Sequence, residues 1–122
     1  MPAEFQPTRG MVAAAKRALD QRAELPLSRR AMTAVGIARA RDLANGRTLS
    51  EATVRRMARY FMRHRPDREA TGFNAGEEGY PSKGRQAWDG WGGDAAVSAI
   101  RRWLRSIDPT FAANFRRLFP AR

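Results

Sequence analysis

Residues 49–66, LSEATVRRMARYFMRHRP, decide the fold class. Ser50 offers an oxygen to the free N–H groups of a first helical turn, Glu51 sets a carboxylate where the helix dipole favours one, and Pro66 cannot continue a helix. Between those limits Val54, Met57 and Phe61 fall at i, i+3 and i+7, the spacing of one apolar face. Arg55, Arg59 and Arg63 step by four along another face, and Arg56 widens it. The stretch predicts a helix over 51–64 with a core side and a basic side. Solvated helix faces usually mix charge signs, yet no acid follows Glu51, so Arg55, Arg56, Arg59 and Arg63 are candidate contacts to a polyanion. An ordinary solvated face is the competing reading.

Toward the N-terminus, Thr8 caps a helix over 9–24 whose narrow apolar stripe is Val12, Ala15 and Leu19, ended by Pro26. Ser28 opens a second helix over 29–44, with Met32, Val35 and Leu43 inward and Arg39 and Arg41 nearer solvent; Asn45-Gly46 supplies its left-handed stop. Residues 1–7 read as a flexible lead. The second and third helices together are helix-turn-helix-like, although Arg47 to Ser50 lengthen the connection beyond the tight turn of that motif. Toward the C-terminus, Asp94 caps a helix over 95–107 with Val97, Ile100, Leu104 and Ile107 inward and Arg101, Arg102 and Arg105 outward. Asp108-Pro109 starts a last helix to Phe119. Its apolar side either folds back on the core or docks on another protein, with Phe111, Phe115 and Phe119 as the candidate partner contacts.

Between these halves lies GFNAGEEGYPSKGRQAWDGWGGD, residues 72–94, with seven of the ten glycines and two of the three tryptophans. Glycine at that density serves a backbone that needs positive φ or close approach, while Phe73, Tyr80, Trp88 and Trp91 supply area to pin a long loop onto a core. Ser82 caps a short helix within it, ended by Gly92-Gly93. Lys83 and Arg85 beside the four aromatics make a candidate stacking surface for single-stranded nucleic acid; tryptophans spent on the core are the competing reading. Glu77 and Glu78 are adjacent and diverge, so charge neutralisation by Lys83 and Arg85 fits them better than acid–base chemistry. His64 with Asp67, Glu69 and a metal ion would compose a nuclease centre, but a lone histidine at a helix end more simply favours the dipole. GEEG and WGGD lack the order of a phosphate-binding loop.

The 122 residues, 43% of them hydrophobic, suit one domain with one modest core. Absence of cysteine excludes disulfides, thiolate nucleophiles and Cys-ligated metals, and a single histidine excludes a His-rich site, so no cofactor is expected. No apolar run reaches membrane-spanning length and the first residues lack signal-peptide order, which predicts a soluble protein made in the cytoplasm. The formal net charge is +11, and 21 of the 23 basic residues are arginine. That balance predicts attraction to nucleic acid, DNA favoured, since arginine forks onto phosphates and guanine edges.

The strings ARARDL, LS-x-x-TV-x-RM, F-x-x-GEEGYPS-x-GR and W-x-x-WGGD, within residues 33–64 and 72–96, resemble a small module of tailed-bacteriophage and prophage proteins. There the module occurs alone or appended to head and DNA-handling proteins. The resemblance implies phage or prophage origin and names no reaction. Asp89-Gly90 departs from the apolar pair expected between the tryptophans, which would loosen the packing of the short helix.

These readings converge on a compact all-α domain of four to five helices with a long glycine/aromatic loop between the third and fourth. The expected function is noncatalytic nucleic-acid binding in the bacterial host cytoplasm or the virion. The alternative is a virion or capsid component that holds phage structural proteins through the aromatic loop and the phenylalanine-rich final helix.

Overall fold

The computed structural model describes residues 4–121. Side-chain caps start most of its helices: Thr8 accepts from the Met11 amide, Thr33 from Gly36, Ser50 from Thr53, Ser82 from Arg85 and Asp108 from Phe111. The helices are α1 (Arg9–Glu24), α2 (Ala34–Ala44), α3 (Glu51–His64), α4 (Lys83–Gly90), α5 (Gly93–Ile107) and α6 (Pro109–Leu118). Helical residues make up 69% of the described residues, in six α-helices there rather than four to five, with two short 3-10 turns at Leu27–Arg29 and Arg65–Glu69.

The N-terminal segment is not a free lead where the structure describes it. Glu4–Phe5 (β1) pairs antiparallel with Leu49–Ser50 (β2), Phe5 opposite Leu49. Phe5 is buried and meets Trp103 edge-on at 6.0 Å, so its apolar area ties the strand to the body. Residues 1–3 of the expected lead lie outside the described residues.

Helix α1 buries Met11, Ala14, Ala15 and Ala18, while Val12 and Leu19 of the expected stripe are only half-buried. Small residues face inward because α1 packs against α2, α4 and α5 at once. A Cβ on Gly10 would stand 2.8 Å from the Ala95 Cβ, which shows how near α5 approaches.

The second helix begins at Ala34 and not at Arg29. The Arg30 guanidinium turns back to the C-terminal end of α1, donating to the Leu25 and Ala23 carbonyls. Gln86 of α4 accepts from the Ala31 amide at 3.0 Å and donates to the Arg29 carbonyl at 2.9 Å, fixing both groups outside α2. Met32 follows with φ 77, an uncommon conformation for a side chain of that size, and α2 starts after Thr33. Val35, expected inward, is 52% exposed.

The core is a column of aromatics on α3, α4 and α6. Trp88 touches Phe61, Phe73 and Phe119, and Phe115 packs on Phe119. Phe115 and Phe119 are buried and Phe111 is half-buried, so the last helix folds back, and Phe115 and Phe119, expected as partner contacts, face the core instead. The helix-turn-helix pairing is also not formed as a packed unit: α2 lies against α1 and α4, while α3 lies against α4, α5 and α6.

Candidate nucleic-acid interface

Helix α3 runs over the predicted residues, and its apolar side is spent as expected, with Val54, Met57 and Phe61 fully buried. On the opposite side Arg56, Arg59 and Arg63 are exposed, and none has a carboxylate within ion-pair distance among the described residues. At 1.5 Å rise per residue they span about 10 Å of helix. Arg55 differs. It is half-buried between Glu51 at 3.0 Å and Asp108 at 2.7 Å, and the same contact, with the Phe111 amide, holds the Asp108 carboxyl below its ordinary pKa. Arg55 therefore links α3 to the α5–α6 corner and is not free for a phosphate.

The other basic candidates divide in the same way. Arg39 pairs with Asp42 at 3.1 Å and is half-buried, while Arg41 is exposed on α2, a helix that packs on α1 and α4. Arg102 and Arg105 are exposed on α5, and Arg101 donates to the Phe119 carbonyl at 3.3 Å. Arg85 is held by Asp89 at 2.9 Å and by the Phe73 carbonyl at 3.0 Å, which removes it from any stacking surface. Lys83, at the first turn of α4, is exposed.

Residues 72–94 form a structural buckle. Phe73, Trp88 and Trp91 are buried, so the expected base-stacking surface is absent; Tyr80, half-buried, lies under the Arg85 guanidinium. Glu77 accepts from the Gly72 and Asn74 amides, both at 3.0 Å, and those donors hold its carboxyl below the usual range. Asp89 is 1% exposed and takes both Arg85 and, at 3.3 Å, Arg17 of α1. The expected looseness at Asp89-Gly90 is thereby overturned: the carboxylate is neutralised from two helices, and Gly90 leaves room for the Met32 sulfur, which would lie 2.5 Å from a Cβ there. Asp94 accepts from the Trp88 indole at 3.0 Å, and α5 begins at Gly93 after Gly92 at φ 109, so Asp94 is not its cap.

Two concavities flank the end of α3. One, of about 540 Å³, is lined by Arg30, Tyr60, Arg63, His64, Asp67 and Lys83, with Met32, Gly36 and Trp91 among its walls. His64, Tyr60 and Trp91 stack in a column there, with centroids 4.6 and 4.7 Å apart, and His64 Nδ1 lies 3.2 Å from Asp67. Glu69 is exposed, and among the described residues no three His, Asp or Glu side chains gather to hold a metal. The second, of about 720 Å³, is lined by Arg65, Arg68 and Arg101 around the end of α6; Arg65 donates to the Leu118 carbonyl at 3.1 Å, and Arg68 lies over Trp88 and Phe119. Sequence reasoning passed over Arg30, Arg65, Arg68 and Tyr60. For Tyr60 a signal existed, since it stands one turn before His64.

Compared with known protein families, curated proteins and solved structures, the chain matches none.

Proposed function

We propose that the chain is a noncatalytic nucleic-acid-binding protein, DNA favoured, whose principal phosphate contacts are Arg56, Arg59 and Arg63. The observation that carries this reading is the contrast within α3: three arginines on its outer side stand exposed without carboxylate partners among the described residues, while Arg55 on its flank is ion-paired twice. A rigid helix anchored by Val54, Met57 and Phe61 presents those charges in fixed order, which favours binding to a regularly spaced polyanion. The net charge of +11 adds long-range attraction. Phage or prophage origin rests on the resemblance of residues 33–64 and 72–96, and with it the host cytoplasm or the virion as the place of action.

The test is fluorescence anisotropy of labelled duplex and single-stranded oligonucleotides over a range of salt, with heparin as competitor. Changing Arg56 and Arg59 together to alanine should flatten the salt slope by about two. An unchanged slope would remove this face from the function, and equal affinity for heparin and DNA would reduce the attraction to net charge.

A further inference from the structure

The cavity of about 540 Å³ beside the end of α3 is rich in donors and poor in acceptors. Three cationic residues line it from separate elements: Arg30 from the segment before α2, its guanidinium already donating to the Leu25 and Ala23 carbonyls, Arg63 from α3 and Lys83 from α4. Arg63 and Lys83 have no ion-pair or hydrogen-bond partner among the described residues, and the one carboxylate in the wall, Asp67, faces His64. The Thr33 hydroxyl is also occupied, accepting from the Gly36 amide at 3.1 Å.

Two further donors are idle. Tyr60, which lines the cavity, is 5% exposed, and its hydroxyl is buried with no partner. An orphaned buried hydroxyl is costly, and a group that accepts from it would relieve that cost. The indole N–H of Trp91, also in the wall, donates to nothing among the described residues. The first turns of α2 and α4 border the same space and contain no acidic residue of their own, although the Asp67 carboxylate stands against Gly84 at the start of α4 and offsets that helix dipole in part. The backbone at its edge is strained, with Met32 at φ 77, and such strain gathers at ligand-holding positions.

We infer that this cavity is a binding site for a phosphate ester, an acceptor-only anion that suits a wall of cations and unpaired donors. Its volume takes a group of nucleotide size. The phosphate comes either from a free nucleotide or from the terminal phosphate of a strand. The site does not rest on the nucleic-acid reading, because a mononucleotide alone tests it.

The experiment is titration of the isotopically labelled protein with inorganic phosphate, AMP, and short single strands carrying a 5′-phosphate or a 5′-hydroxyl, followed through the backbone amides and the tryptophan indoles. AMP is expected to move the Gly36, Lys83 and Gly84 amides and the Trp91 indole together. Lys83→Gln, at an exposed position, should weaken AMP by about fivefold, and Arg56→Gln, outside the cavity, should leave it unchanged. A several-fold preference for the 5′-phosphorylated strand over the hydroxyl strand assigns the terminal phosphate, and AMP binding without that preference assigns the free nucleotide. Shifts spread over exposed arginines, no response at the cavity amides, or equal AMP affinity in Lys83→Gln would each overturn the site. Loss of duplex binding in Arg56→Gln with AMP binding intact would separate this cavity from the outer face of α3.

Discussion

The outer side of α3 and the segment 72–94 carry similar side chains and came to opposite ends. Both hold basic residues, and both have aromatics close by. On α3 the arginines at 56, 59 and 63 find no carboxylate among the described residues, and the aromatics beside them are turned to the core. In the segment 72–94 Arg85 is taken by Asp89, Glu77 by backbone amides, and Trp88 and Trp91 by packing. What makes a charge available for a ligand is therefore the lack of a partner supplied by the fold, and residue type alone does not reveal it.

The largest break in that comparison comes from Trp88. It is 1% exposed and touches aromatics of α3, of the glycine segment and of the chain end. Trp88→Ala should destabilise the protein by about 3–5 kcal/mol. Urea denaturation followed by far-UV circular dichroism checks this, with Arg59→Ala as the counterpart expected to change stability by less than about 0.5 kcal/mol. A loss near 1 kcal/mol or below for Trp88→Ala would mean the segment is not the core the comparison requires.

Asp89 gives the next effect. Asp89→Asn keeps the volume and removes the charge that holds Arg85 and Arg17. A hydrogen bond to a charged group contributes about 1.5–3 kcal/mol, and because Arg17 is 42% exposed at its side chain the loss should fall near 2 kcal/mol. The same denaturation series measures it. The variant should bind oligonucleotides with the unaltered salt slope, since no member of the cluster belongs to the outer side of α3.

How far sequence reaches follows from these particulars. The bounds of α3 were legible because a cap at Ser50, a period of apolar residues and Pro66 all act within one helix. The start of α2 was not, because it is set by Gln86, a residue 55 positions beyond Ala31. The strand at Glu4–Phe5 depends on Leu49–Ser50 in the same way. Burial of Phe115 and Phe119 was readable as the simpler fate of an apolar helix side, while their role as partner contacts was not sustained. The donor-lined cavity was invisible, because Arg30, Tyr60, Arg63 and Lys83 carry no common spacing and meet only after α2, α3 and α4 have packed.

The smallest effect lies inside α3 itself and sharpens the comparison most. Sequence spacing groups Arg55 with Arg59 and Arg63, but its guanidinium stands against Glu51 and Asp108. The Asp108 pKa is depressed, first by the Arg55 hydrogen bond and then by the Phe111 amide. A carboxyl with a lowered folded pKa stabilises fully above its unfolded value, about 3.9 for aspartate, and loses that contribution as pH falls through the folded value. Arg55→Ala should therefore lower the thermal midpoint slightly at pH 7, and the gap from the parent protein should close as pH drops below about 4. Its nucleic-acid salt slope should match the parent's, whereas Arg59→Ala should flatten the slope by about one with no change in the midpoint. A flattened slope in Arg55→Ala would show that the ion pairs yield to phosphate, and the division of α3 into a fastening arginine and binding arginines would fail.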